Sequence, residues 1–208
     1  MKEQFEEWAK TLPPVREDEI ALYERHLALL KTWNERMNLV SRNSLEKAFP
    51  THFADSVHIA DFGHRFAEGR TVFDLGSGAG FPGIIYAIRY PDEPITLFEK
   101  SLKKQSFLLA AVAQLELENV RVDGALPDEK FHGLFLGRAV MQRQDLFPFF
   151  RDHLKAGARV IANLGGQTEA TSAPDDFKLL ERTRYTLPLD AGDRQIEAFQ
   201  FVPRGTKN

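Results

Sequence analysis

The chain has no cysteine. This excludes disulfides, thiolate zinc ligands and any cysteine nucleophile, and it suits a reducing compartment. Long apolar runs are missing too. Ile84–Ile88 is typical of the longest, whereas a bilayer-spanning helix needs about 20 apolar residues. The first ten residues are charged and carry no apolar stretch of the kind a secretory signal needs. No membrane association is expected, and the expected location is the cytoplasm. Charge of one sign is also scarce: the formal net charge is -3, so a nucleic-acid partner would have to be met by a local basic patch or by shape. The histidines and carboxylates complete no ligand set, and no metal is expected. There is no internal repeat and no low-complexity tract.

What is present suits a globular protein. A chain of 208 residues with a 43% hydrophobic share fits one domain with an appendage. Residues 17 to about 61 read as helical. Ile20, Tyr23, Leu27, Leu30 and Trp33 mark one apolar face, and Asn43 or Ser44 is suited to cap a second helix. The pattern changes near Thr71. Thr71–Leu75 reads as a buried strand ending at glycines, and Phe81-Pro82-Gly83 as a helix start with Pro82 in the first helical position. Strands follow at 95–98, 120–122, 133–136 and 159–162, with helices near 101–117 and 145–154. At the end, 179–187 and 195–202 form a hairpin around Asp190-Ala191-Gly192-Asp193. Alternating strands and helices predict an α/β fold: a mostly parallel seven-stranded Rossmann-like sheet closing on an antiparallel hairpin. Residues 1–65 form a helical extension and 66–208 the main domain.

The glycine loop is the most informative segment. Read as Asp-x-Gly-x-Gly-x-Gly (Asp74, Gly76, Gly78, Gly80), it is the loop of an S-adenosylmethionine-dependent methyltransferase. Read as Gly-x-Gly-x-x-Gly (Gly78, Gly80, Gly83), it matches a dinucleotide fingerprint. The first register accounts for more residues and leaves Gly83 to helix packing. An acid at Asp74 is awkward beside a pyrophosphate but welcome beside a sulfonium and an amino group. Glu99, about 20 residues on, can accept from both ribose hydroxyls in either register.

Lys100, Lys103 and Lys104, with Arg36, Arg42, Arg138 and Arg143, are candidates for a phosphate-binding surface. His52, Asp55 and Ser56 share a helical face and are candidates for a hydrogen-bonded cluster. Two absences narrow methyl-transfer chemistry. Pyrimidine C5 methylation usually needs a cysteine. Exocyclic amino methylation usually shows Asn/Asp-Pro-Pro-Tyr/Phe after the fourth strand, where this chain reads Gly137-Arg138-Ala139-Val140. Guanine N7 needs no general base, because its lone pair lies in the ring plane and carries no proton.

The chain resembles the GidB/RsmG family of small-subunit (16S) ribosomal RNA guanine-N7 methyltransferases over about Tyr23 to Phe201. The resemblance rests on Trp33-Asn34, Asn38-Leu39, His52 with Asp55-Ser56, Asp74 through Gly83, Ser101 with Lys103-Lys104, Phe107-Leu108, Arg138-Ala139 and Tyr185-Thr186-Leu187-Pro188. It implies the methyltransferase fold and S-adenosyl-L-methionine as cofactor. The implied cofactor set is Asp74, Gly76, Ser77, Gly78, Gly80, Phe81, Glu99, Ala125, Leu126 and Arg138, with Arg138 also the implied catalytic residue. RNA contacts are expected from His52, Asp55, Ser56, Lys103, Lys104 and Arg143. The implied partner is small-subunit rRNA or the small subunit itself, and the protein is expected to act as a monomer. Three places depart from the family pattern: Thr51 replaces an arginine, Leu164 a lysine, and Gly124–Asp128 an Arg-Ala/Val-Glu-Glu stretch. An NAD-dependent oxidoreductase and a non-catalytic ribosome-docking member stand as alternatives.

Overall fold

The computed structural model describes residues 12–126, 128–138, 143–163 and 173–203, the side chains of Ser44, Arg143 and Gln144 excepted. Helix α1 (Glu17–Met37) begins with Glu17, Asp18 and Glu19 in its first turn, where acids complement the helix dipole, and ends at Asn38 in the left-handed region. Asn34 is buried and accepts the Val40 N–H at 2.9 Å, which secures the turn after the helix. The helical reading of 17–61 is therefore broken here. Helix α2 (Arg42–Glu46) starts just before Asn43, so that residue and Ser44 lie in its first turn rather than at its cap. A π-helical turn (Phe49–Phe53) then runs directly into α3 (Ala54–His64).

The remaining elements are β1 (Val72–Leu75), α4 (Gly83–Arg89), β2 (Ile95–Phe98), α5 (Leu102–Leu115), β3 (Val120–Asp123), β4 (Leu134–Arg138), α6 (Arg143–His153), β5 (Arg159–Asn163), β6 (Phe177–Leu187) and β7 (Gly192–Phe201). Pro82 sits one position before α4. The strands form one seven-stranded sheet in the order β3-β2-β1-β4-β5-β7-β6. β7 is antiparallel to both β5 and β6, and all other pairs are parallel.

Strand side chains alternate between two cores, as the two-residue period requires. Val72, Leu134, Leu136 and Ile161 join the core formed with α1, α3, α4 and α5. Leu75, Phe135, Val160 and Phe199 join a phenylalanine-rich core with α6. The first core includes Tyr23, Leu27 and Leu30 of α1 as well as the sheet, so the N-terminal helices share their interior with the rest of the chain. Connections from β1 and β4 leave on opposite faces. The β1/β4 boundary is thus the topological switch point, where open α/β sheets hold their ligands.

Candidate active site

The glycine loop leaves β1 at this switch point. Gly76 and Ser77 donate their N–H groups to the Phe98 carbonyl (2.8 and 3.1 Å), which ties the loop to the end of β2. Gly78 and Gly80 have φ of +54° and +85°, a region that side-chain-bearing residues avoid. Gly83 serves close packing, since a Cβ there would lie 2.3 Å from Leu97 Cδ2 and 2.6 Å from Asp74 Oδ2. Asp74 is buried, and its Oδ2 accepts the Gly83 N–H at 3.1 Å. Its Oδ1 has no hydrogen-bond partner among the described residues. Burial lifts this carboxyl to about 6, against the lowering effect of Ser77, Gly83 and Arg138.

Glu99 is buried at the end of β2. Its carboxylate accepts N–H groups from Gly78 (3.0 Å) and Ser101 (2.9 Å). A carboxylate has about four lone-pair positions, so acceptor capacity remains. Beside it lies a hollow of about 380 Å³ lined by Leu75, Gly76, Phe98, Glu99, Lys100, Gly124, Ala125, Leu126 and Phe149. Apolar walls with a few polar groups suit a small ligand that joins an aromatic base to a sugar. These features fit S-adenosylmethionine: an apolar slot for adenine, Glu99 for hydroxyls, the glycine loop for close approach, and the unpartnered Asp74 Oδ1 for a cationic group. A larger hollow of about 690 Å³, lined by Lys130, Arg151, Lys155 and Asp176 among others, lies at the opposite rim, near the start of β5. It is remote from the glycine loop.

The other side of the site is a polar cluster. Arg138 ends β4 and pairs in register with Asn163 at the end of β5. Its Nη1 donates to the Thr51 carbonyl (3.1 Å) and to His52 Nδ1 (2.9 Å), and lies 3.7 Å from Asp55 Oδ2. The guanidinium sits 5.5 Å from the Phe81 ring centroid. Burial pulls its pKa down while Asp55 and Asp74 hold it up, and an arginine stays charged in such surroundings. Asp55 Oδ1 accepts from Tyr185 Oη (2.6 Å) and Asn163 Nδ2 (3.0 Å). His52 stacks on Phe81 at 5.1 Å. Burial, reinforced by Arg138, lowers His52 to about 3, so it is neutral at physiological pH. Because Arg138 donates to Nδ1, the proton of neutral His52 is on Nε2.

The structure brings His52, Asp55 and Arg138 together and separates other expected residues. Asp55 and Ser56 are buried, and Asp55 anchors Arg138. Phe81 is buried among His26, His52 and Phe53. Its ring is a core group, which leaves its backbone to shape the loop. Ser77 likewise turns inward, donating from Oγ to the Asp74 carbonyl at 3.1 Å. Lys103 is exposed and Lys104 partly so at the start of α5, next to exposed Lys100 at the hollow. Arg143 begins α6, its side chain outside the described residues, as are Ala139 and Leu164. Sequence reasoning missed Asn163 and Phe149. Asn163 was signalled by a polar residue directly after an apolar strand, and Phe149 had no signal of its own. Among the described residues, no group of three or more His, Asp or Glu is placed to hold a metal ion, and no helix is long and apolar enough to cross a membrane.

Known proteins share both sequence and fold. The family described as GidB, rRNA small subunit methyltransferase G, matches residues 19–191. The ribosomal RNA small subunit methyltransferase G of Solibacter usitatus is 36% identical over 205 residues, covering 92% of this chain and 96% of its own. That of Flavobacterium psychrophilum is 33% identical over 154 residues, covering 73% of each. Among solved structures, MtNAS in complex with S-adenosylmethionine aligns with a TM-score of 0.55 at 14% identity, over 88% of this chain and 75% of its own. The ribosomal protein L11 methylase of Lactobacillus delbrueckii subsp. bulgaricus aligns with a TM-score of 0.51 at 16% identity, over 72% and 80%. At those identities the structural likeness carries the fold alone, whereas the match over most of the sequence carries more: this chain belongs to the GidB family of rRNA small subunit methyltransferases.

Proposed function

We propose that the protein transfers the methyl group of S-adenosyl-L-methionine to N7 of a guanine in small-subunit (16S) ribosomal RNA. The observation that carries this reading is the meeting, at one switch point, of a glycine loop and acid-rimmed hollow with the Arg138–His52–Asp55 cluster. When bound, S-adenosyl-L-methionine supplies an electrophilic methyl on a sulfonium. Gly76, Gly78, Gly80, Glu99, Ala125 and Leu126 would hold it, with Asp74 beneath the loop. Arg138, fixed by Thr51, His52 and Asp55, uses its remaining N–H groups to orient the guanine. N7 needs no deprotonation, so these residues accelerate transfer by proximity and alignment. Neutral His52, with its pKa near 3, is poorly suited to act as a base, and this chemistry does not require one.

Lys100, Lys103 and Lys104, clustered beside the hollow, supply local positive charge for RNA phosphates on a chain of net charge -3. We read the protein as a cytoplasmic monomer. The dinucleotide alternative is disfavoured because the Asp74 carboxylate already takes the Gly83 N–H at the start of α4, where a pyrophosphate would bind. The departure at Thr51 leaves Arg138 in place as the cation of the cluster, since the Thr51 carbonyl serves it and Thr51 Oγ1 donates to the Lys47 carbonyl.

The test uses methyl-labelled S-adenosylmethionine and small subunits from a strain lacking the gene. After RNA digestion, label in 7-methylguanosine establishes donor and reaction. Label in another nucleoside would replace the guanine-N7 reading, and cofactor binding without label would favour a docking member.

A further inference from the structure

Helix α1 carries a histidine into the core beneath the glycine loop. His26 is fully buried, with its ring centroid 5.7 Å from that of Phe53, 5.1 Å from Phe81 and 6.0 Å from Phe107. Its Nε2 lies 3.0 Å from the Ala79 carbonyl oxygen. A carbonyl only accepts, so Nε2 carries the proton. Nδ1 has no partner among the described residues, and burial lowers the imidazole to about 4, so the ring stays neutral. An apolar side chain would fill this cage without leaving a ring nitrogen unpaired. What histidine adds is the donor.

The bond falls inside the glycine loop. Ala79 stands between Gly78 and Gly80, whose backbones are both left-handed. The N–H end of the Ala79–Gly80 peptide donates to the Ser77 carbonyl at 2.7 Å, and the His26 bond holds its carbonyl end, so two bonds fix a peptide flanked by glycines that would otherwise turn easily. The same imidazole packs against Phe81, which in turn stacks on His52 and lies beneath Arg138. One side chain of α1 therefore touches both the cofactor loop and the ring that adjoins the polar cluster.

We propose that His26 is a positioning residue for methyl transfer: its Nε2–H holds the Ala79 carbonyl, and with it the glycine loop, in the conformation that binds the methyl donor. The inference rests on reading the loop as the cradle of S-adenosylmethionine.

Full-length wild-type protein is compared with His26→Gln, which keeps a donor near the same position, and with His26→Met and His26→Phe, which fill the cage without one. S-adenosylhomocysteine affinity is measured by calorimetry, KM values for donor and for small subunits by turnover, and folding by thermal unfolding. The donor-less variants are expected to lose about 3- to 10-fold in affinity and to raise the KM for the donor equally, the worth of one neutral hydrogen bond. The KM for subunits should not move, and His26→Gln should recover most of the loss. Equal affinities in folded Gln, Met and Phe variants would make His26 a packing residue only. If one apolar variant fails to fold, the other against His26→Gln decides. Wild-type protein without affinity would overturn the donor reading itself, and this inference with it.

Discussion

Asp74, His26 and His52 are each held away from their ordinary pKa by burial, and their consequences for stability oppose one another. The histidines are lowered from 6.5 to about 4 and about 3. The folded state therefore disfavours their protonation. Their contribution is intact above the unfolded value of about 6.5 and is lost as pH falls toward the folded values, each tenfold difference in proton affinity between the two states being worth about 1.4 kcal/mol. Asp74 is raised from 3.8 to about 6. Its ionisation weakens the fold above the unfolded value, and that penalty fades as pH falls from 6 toward 4. Two losses against one gain predict a melting temperature that declines between pH 6.5 and 4, and a shallower decline in His26→Phe, measurable by thermal melts in matched buffers. Asp74 also couples to the donor. A cationic ligand beside it favours the carboxylate, so donor affinity should weaken as pH drops below about 6. Asp74→Asn should bind more weakly but lose that pH dependence, which calorimetry at pH 5.5 and 7.5 would check.

At the scale of elements, two junctions are the most sensitive. The α4 start packs so closely on β1 and β2 that a Cβ at Gly83 would overlap Leu97 and Asp74. Overpacking of this kind costs about 1–3 kcal/mol. Gly83→Ala should therefore lower the melting temperature by about 2–10 °C in a chain of this size, and an unchanged melt would contradict the packing described. The second junction joins β4 to the π-helical turn through Arg138. Removing it leaves buried Asp55 without its cation, although Tyr185 and Asn163 still donate to that carboxylate. Arg138→Ala is expected to keep S-adenosylhomocysteine affinity within about 3-fold, under 1 kcal/mol, while cutting methyl transfer at least tenfold, about 1.4 kcal/mol of barrier. Equal turnover would remove Arg138 from the reaction.

Across the whole molecule, α1 is bound to the sheet layer by charge as well as by apolar contact. Glu19, 1% exposed, pairs with Arg89 of α4 at 2.6 Å, and Arg89 pairs with Asp61 of α3 at 2.7 Å. Breaking a buried pair from one side costs about 3–5 kcal/mol. Arg89→Met should lower stability by that order in denaturant titration, with donor binding changed less than stability because the network lies away from the hollow. The surface makes a different prediction. If Lys103 and Lys104 meet RNA phosphates, the double alanine variant should bind small subunits more weakly, with the salt slope of log K shallower by about 1–2. An unchanged slope would place the RNA on another face.

The glycine loop, the acid after β2 and the alternation of strands with helices were legible in the chain because their causes are local. Backbone conformations that need glycine, strand length and the two- and 3.6-residue periods are properties of neighbouring residues. Asn38, whose left-handed conformation ends α1, is a local cause too, yet the helical reading of 17 to about 61 passed over it. Of the polar cluster, Asp55 and Arg138 were legible only as scattered candidates, and Asn163 was not picked out at all. Asp55, Arg138, Asn163 and Tyr185 lie up to 130 residues apart and meet because β4 and β5 end in register beside a π-helical turn. The same tertiary contacts decided that Asp55, Ser56 and Phe81 are buried. Nothing local distinguishes a buried polar face from an exposed one when both carry the same spacing. Tertiary structure alone set His26 beneath Ala79, because that contact depends on how α1 packs across the loop rather than on either segment's own pattern.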